Sequence, residues 1–273
     1  MERRNGLQWP WHSHQATTWV LFLVFTVSYY KSIAPRLSPG LFVCAQVLYS
    51  LISSVTALLC ILVTVLDPVD PSAAQEREAR EQSRAFDLTS LPRVCDFCLL
   101  HTAKTTQHCS HCRKCVAAFD HHCHWVNNCV AGRNYVYFLV LICSVEGQML
   151  GFVSFGGAVI GDLVNNGDTG ELIEVAILLA VLLLALAVLL FNSALVLFHI
   201  YLRYNGLTTR AFLKLRKERR KVQPIVQREN SKVSIHISQD VSLAQIQPSD
   251  PLTFHPNTCA VSKPVQPRAA LTK

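Results

Sequence analysis

The run Cys95-x2-Cys98-x9-His108-Cys109-x2-Cys112-x2-Cys115, followed by Asp120-His121-His122-Cys123 and then Cys129, decides how this chain is read. Seven of its eleven cysteines and six of its eleven histidines fall between Cys95 and Cys129. A separation of two residues lets both thiolates of a pair face one ion from a tight turn, and a structural zinc takes four nitrogen or sulfur ligands. One such pair is a weak signal; two pairs with further cysteines and histidines are a strong one. Two Cys3His sites consume six cysteines and two histidines, which leaves one of the seven cysteines free to react. Spacing alone does not say which. Local chemistry favours Cys123, because it follows an aspartate and two histidines. A neighbouring imidazole can take a thiol proton, and a carboxylate can fix the imidazole tautomer. The same residues also suit a purely structural role, each one a ligand or a ligand's hydrogen-bond partner, and spacing weighs the two readings alike.

Whether such a cluster holds metal or disulfides depends on its compartment, so the flanking sequence matters. The chain of 273 residues is 51% hydrophobic and 16% charged, where an ordinary soluble domain carries about 25% charged residues. The deficit is local. No formal charge lies between Arg4 and Lys31, and Ala16 to Tyr30 is almost wholly apolar. Leu37 to Leu66 is uncharged, Asn134 to Gly161 contains only Glu146, and Val175 to Leu202 has no formal charge. A spanning helix needs about 20 mainly apolar residues, so four spans are expected, the first one short and helped by Lys31 snorkelling to the interface. No small-x-small cleavage pattern follows Tyr30, which argues against a secretory leader. With four spans, 23 lysines and arginines lie on the side that holds both ends of the chain and the cysteine-rich segment, against 2 on the other. That side is expected to be cytosolic, a reducing compartment in which metal ligation is the leading reading.

The expected fold is therefore mainly α, a four-transmembrane-helix membrane protein with a cytosolic zinc-binding cysteine-rich domain between spans 2 and 3. Residues 1–66 form a cytosolic start and spans 1 and 2; 67–134 the linker and zinc domain; 135–202 spans 3 and 4; 203–273 a cytosolic, largely disordered tail. Asp162 to Glu174 faces the lumen, and Asp70 to Leu91 reads as an exposed linker, briefly helical over Ala73 to Ala85. The net charge of +7 follows from topology and calls for no nucleic acid.

The run Asp120 to Val130 resembles the defining motif of the DHHC-type protein S-palmitoyltransferases. The His108-Cys109-x2-Cys112-x2-Cys115 spacing, Arg133-Asn134-Tyr135 with Phe138, and Asp67-Pro68 after span two are similar to further elements of that family. Residues 4–10 resemble one animal subgroup, and the likeness extends over residues 1–215. The resemblance implies that Cys95, Cys98, His108 and Cys115 bind one structural zinc, and that Cys109, Cys112, His122 and Cys129 bind a second. It further implies that Cys123 is the acylated nucleophile, His121 its general base and Asp120 the residue that orients His121. Palmitoyl-CoA, or another long-chain acyl-CoA, is the implied co-substrate, and membrane-associated proteins with cytosolic cysteines are the implied acceptors. Three elements depart from the family pattern. Ala103 and Thr105 stand where it has Pro-x-Arg, Ala131 stands for a glycine, and Thr208-Thr209-Arg210-Ala211 lacks the acid of Thr-Thr-x-Glu. None is a ligand or a catalytic group, and the alternative they keep open is a catalytically weak zinc-stabilised membrane adaptor.

Weaker signals complete the reading. Glu146 within span three is equally a functional acid and a group facing a wet or protein-packed side. His199 is expected at the interface, Trp9, Trp11 and Trp19 as interface anchors, and Trp125 as packing on the zinc platform or membrane. Cys44, Cys60 and Cys143 are expected as small apolar packing residues. Gly151, Ser154, Gly156, Gly157 and Ala158 either shape an acyl slot or, the preferred reading, let helices pack closely. The basic run 214–221 suits anionic cytosolic lipid, and Cys259 reads as a plain exposed thiol. An endoplasmic-reticulum or Golgi membrane is the first expectation for location, with plasma membrane or endosome as alternatives.

Overall fold

A segment that meets lipid must satisfy every backbone group internally, so the uncharged runs become helices. The structure, a computed structural model, describes residues 2–89, 91–165, 172–223 and 227. The chain divides into two units, Met1–Lys217 and Glu218–Lys273. In the first, the long helices are α1 (Ser13–Ser28), α2 (Pro39–Val65), α4 (Tyr135–Asn165) and α5 (Leu172–Tyr204), and a short α3 (Pro71–Glu81) follows α2. In the second, residues 218–223 are helical and Lys221 pairs with Glu218 at 3.4 Å. The expected disorder of the far tail, and Cys259, lie outside the described residues, as do residues 166–171 of the expected luminal segment. The ends of that segment are helical, since α4 runs to Asn165 and α5 begins at Leu172.

Among the described residues three helices, α2, α4 and α5, with 27, 31 and 33 residues, are long and apolar enough to cross a membrane. The first expected span differs. Its α-helix ends at Ser28 after 16 residues and passes into a π-helical turn, Tyr29–Ile33, and a 3-10 turn, Ala34–Arg36. Pro35 explains this, because it has no N–H to give and its ring crowds the carbonyl one turn earlier.

Helix α4 packs along both α2 and α5. The core they share with α1 includes Phe25, Tyr29, Tyr49, Phe152 and Leu182, and the Tyr29 and Tyr49 rings stack at 3.6 Å. Gly156 permits the closest approach: a Cβ there would fall 2.4 Å from Leu182 Cδ2. Close packing is thus the role of this glycine, as preferred from sequence.

The stretch Asp70–Leu91 is exposed over residues 81–85 and 87–89 and helical over Pro71–Glu81, near the expected Ala73 to Ala85, but one face of that helix is buried. Asp70 caps α3, accepting from the Ser72 and Ala73 backbone N–H groups, and Ala73, Glu76 and Ala79 are buried. Buried Glu76 accepts from the His101 N–H at 2.5 Å and from Arg80 at 2.6 Å. This ties α3 to the loop that follows.

That loop is three antiparallel hairpins: β1 (Arg93–Val94) with β2 (His101–Thr102), β3 (Gln107–Cys109) with β4 (Lys114–Val116), and β5 (Phe119–Cys123) with β6 (Asn128–Ala131). They repeat every 14 residues. Val94 pairs with His101, His108 with Cys115, and His122 with Cys129. Leu99, Arg113 and Asn127 all take left-handed backbone, with φ of 54°, 55° and 50°.

Candidate active site and metal centres

Each donor set is built the same way from this repeat. The turn of one hairpin supplies a C-x2-C pair, and the next hairpin supplies a cross-strand histidine and cysteine. Cys95 and Cys98 thereby meet His108 and Cys115, while Cys109 and Cys112 meet His122 and Cys129. Within each set all four ligand atoms lie within 4.8 Å of one another. Both histidines present Nδ1, which lies 3.7 and 3.3 Å from the sulfurs of Cys95 and Cys98 at the first set. At the second set it lies 3.8, 3.4 and 3.7 Å from those of Cys109, Cys112 and Cys129. A tetrahedral zinc with ordinary bond lengths demands edges of about 3.6 Å between nitrogen and sulfur and about 3.8 Å between sulfurs. The Cys112 and Cys129 sulfurs are 3.5 Å apart. The donors therefore fit zinc in number, type and spacing. Without a cation the crowding is unfavourable. Burial and the sulfurs of Cys95 and Cys98 push the Cys115 thiol up, and the sulfurs of Cys109 and Cys112 together with burial push up that of Cys129.

The repeat also shows why one cysteine is spared. In the third hairpin the C-x2-C positions are Cys123 and Val126, so the second thiol is missing. The cross-strand pair that would complete a third set falls at Val136 and Cys143, where the chain has become α4. A 14-residue self-comparison of the sequence reveals this; counting cysteines does not.

A strand turns successive side chains to opposite faces. His122 faces its donor set, and His121 and Cys123 face the other way. A register shift between Phe119 and His121 frees Asp120 from pairing, and such bulges re-aim side chains beside reactive groups. Asp120 Oδ2 lies 2.7 Å from His121 Nδ1, and Oδ1 accepts from the Thr209 backbone N–H at 2.8 Å. Burial alone would lower the basicity of His121. Its hydrogen bonds to Asp120 and Cys123 outweigh that and raise its pKa to about 9. Burial would likewise raise the Asp120 carboxyl, but hydrogen bonds from His121 and Thr209 hold it below its ordinary value. With Nδ1–H directed at the carboxylate, Nε2 is left for the thiol.

Cys123 is 7% exposed and lines an apolar cavity of about 540 Å³ between α1, α2, α4 and α5. Phe25, Ala57, Leu141, Met149 and Leu195 are among its walls. Trp125 lines it too and meets Phe191 at 6.1 Å, so this tryptophan serves the cavity rather than the metal platform alone. None of the glycines of span three lines it. Cys60 does, whereas Cys44 and Cys143 are exposed on their helices.

His199, near the end of α5, is buried against protein. It is 1% exposed, with Nδ1 3.1 Å from the Tyr135 hydroxyl and its ring 5.9 Å from that of His121. Asp120, His121 and His199 bring donor atoms within 4.8 Å of one another, but the carboxylate is already engaged with His121. The three groups form one polar cluster, with Asp120 and His199 buried. An ionisable residue inside an otherwise uncharged run was the available signal. Glu146 accepts from Asn192 Nδ2 at 2.7 Å and from Ser193, so it faces a protein-packed side that joins α4 to α5.

A model of the DHHC palmitoyltransferase family matches residues 89–216. Palmitoyltransferase ZDHHC8 of Homo sapiens is 31% identical over 157 residues, 54% of this chain and 20% of that protein. Palmitoyltransferase ZDHHC8 of Drosophila melanogaster is 34% identical over 158 residues, covering 54% of this chain and 16% of that protein. Palmitoyltransferase ZDHHC5 of Canis lupus familiaris is 27% identical over 184 residues, covering 63% of this chain and 25% of that protein. The chain thus spans a quarter or less of the length of these curated relatives. The hairpin repeat and helices α4 and α5 lie within the matched stretch, and over residues 89–216 the chain carries a match to the DHHC palmitoyltransferase family.

Proposed function

We propose that the chain is a protein S-acyltransferase that moves a long-chain acyl group, palmitoyl first among them, from acyl-CoA through an acyl-Cys123 intermediate to cysteines of membrane-associated proteins. One observation carries this reading: the only cysteine of the loop outside both donor sets opens on an apolar cavity, with an Asp–His pair beside it. His121 takes the proton of Cys123. The thiolate attacks the thioester carbonyl, and the CoA thiolate leaves with that proton. An acceptor cysteine then gives its proton to His121 and attacks the acyl-enzyme, which returns Cys123 as its thiol. The sequence is two-step covalent catalysis with ping-pong kinetics. Asp120 holds the imidazole in the tautomer both steps require. The two donor sets would hold zinc as scaffold, and no step runs through it.

Energetics favour this location. Leaving an acyl chain in water costs about 0.8 kcal/mol per CH2, whereas passing from lipid into an apolar cavity costs nearly nothing. The cavity volume also lies within the usual range for ligand sites, about 300–1,000 Å³. We take α1 with its π turn as a fourth span, which puts the loop and both ends of the chain on the cytosolic side of an internal membrane such as the endoplasmic reticulum or Golgi. The exposed basic residues of 214–221 then face anionic lipid headgroups.

The adaptor reading rests on the acid missing at Ala211 and on Ala103 and Thr105 in place of Pro-x-Arg. Asp120 nevertheless keeps its contact with the Thr209 N–H, which favours the enzyme. The test uses the purified chain and labelled palmitoyl-CoA. A hydroxylamine-sensitive adduct is expected, and it should vanish in Cys123→Ser while two zinc ions per chain remain. Undiminished labelling of that variant refutes the mechanism, and a fully metallated wild type that never labels is the adaptor.

A further inference from the structure

The first two hairpin turns are held by donor sets, and the third is held by protein. Residues 3–15 cross its turn as a strap. Asn127, 2% exposed, shares its amide N–H groups among Gly6 O at 3.2 Å, Pro10 O at 3.1 Å and Gln15 Oε1 at 3.2 Å. Gln15 Nε2 donates in turn to Gly6 O at 2.9 Å. The Arg3 guanidinium donates to Asn127 O at 2.7 Å and to Pro10 O at 3.1 Å. Among the described residues no carboxylate pairs with Arg3, which is 7% exposed; its other neighbour is the Cys112 sulfur, at 3.8 Å.

The fit allows only glycine at the crossing. A Cβ on Gly6 would stand 2.3 Å from the Val126 carbonyl oxygen and 2.9 Å from Thr64 Cγ2. The strap is tied down by its backbone at its start and at the crossing. Gly6 N–H donates to Thr64 O of α2 at 2.8 Å, and Arg3 N–H donates to Cys112 O at 3.0 Å. Buried Lys114 joins Arg4 O at 2.8 Å to Asp67 at 2.5 Å. The strap therefore links the turn after Cys123 to α1 and α2, two helices that wall the cavity.

We infer that this strap is the positioning element of the Cys123 hairpin: Arg3, Gly6 and Gln15 act through Asn127 to fix the turn that metal donors fix in the two preceding repeats. The need is physical. An isolated two-stranded hairpin is marginal in water, and this turn must also keep Asn127 in left-handed backbone. Displacing a nucleophile by about 1 Å costs roughly a hundredfold in rate. The inference rests on Cys123 being the acylated nucleophile.

The experiment compares the full chain in detergent with Gly6→Val and Gln15→Leu. Three quantities are measured: metal per chain, the single-turnover rate of Cys123 acylation at saturating palmitoyl-CoA, and the rate of Cys123 alkylation by iodoacetamide. Both variants are expected to keep two metals, to lose acylation by about ten- to a hundredfold, and to alkylate faster, because the loosened turn uncovers the sulfur while spoiling its aim. Gln15→Leu adds no bulk at the crossing and decides the matter if Gly6→Val does not accumulate. Any other pattern overturns the inference: unchanged acylation, both rates falling together, or acylation lost along with metal. A metallated wild type that does not acylate at all removes the underlying function and this inference with it.

Discussion

Two adjacent histidines of one strand meet different partners, because the pleat turns them to opposite faces. His121 stands 2.7 Å from Asp120, and His122 joins three cysteine sulfurs. Changing each to glutamine separates the jobs. His121→Gln should keep both metals and slow acylation by about 10²–10⁴, the usual worth of a general base. His122→Gln should lose metal from the second centre, and its released cysteines, Cys109, Cys112 and Cys129, should become open to alkylation. Peptide-resolved mass spectrometry after a maleimide pulse, run beside the acylation assay, reads both. Metal loss in the first variant with retention in the second would reverse the assignment. The sequence could say that one cysteine of seven was spare. Counting alone could not say which; local chemistry favoured Cys123 and the 14-residue repeat singles it out, whereas the face each side chain takes and the register shift at Asp120 are invisible in composition.

At the scale of elements, the loop is a ladder of hairpins joined by two donor sets, and each end of the ladder is closed by protein. The strap closes the Cys123 end. Helix α3 closes the other, where His101 occupies the position that Cys115 and Cys129 hold in later repeats and bonds to Glu76 instead. Burial would raise the Glu76 carboxyl, but the hydrogen bonds from His101 and Arg80 prevail and hold it below its ordinary value of 4.5. A depressed carboxyl contributes stability that is full above 4.5 and fades as pH falls below it. Glu76→Gln should therefore destabilise the neutral-pH protein by about 1–3 kcal/mol. The gap in melting temperature between wild type and variant should close on acidification below 4.5, and comparing the two cancels the acid lability that metal centres share. A gap that stays constant across this range would show that the charge of Glu76 is irrelevant. This cap was hidden in the sequence, since Pro71–Glu81 reads as a polar linker until Glu76 is seen to accept from a strand N–H. The uncharged runs, by contrast, announced α2, α4 and α5 directly, because lipid leaves an apolar backbone no other choice. The first span was only half legible, as its π turn follows from where Pro35 falls, a feature that hydropathy does not weigh.

Over the whole molecule, the helices do more than anchor the loop. They line the apolar cavity onto which Cys123 opens, so their packing sets the room within it. Gly156 draws α4 against Leu182 of α5, and Glu146 ties α4 to Asn192 and Ser193 of α5. On the proposed acylation of Cys123, added bulk in this cavity should exclude the longer chains first, because packed interiors cannot absorb an added ring without strain. Ala57 of α2 lines the cavity with a small side chain. Ala57→Phe fills part of that room from a helix outside the hairpins, so metal content and the Asp120–His121 pair should be untouched. The variant is expected to favour acyl-CoAs shorter than palmitoyl in a competition between donors of graded length, read by intact mass of the Cys123 adduct. Long chains should lose and short ones keep wild-type rates. An equal loss across all lengths would mean that the acyl chain lies elsewhere, along the lipid face rather than within the helices.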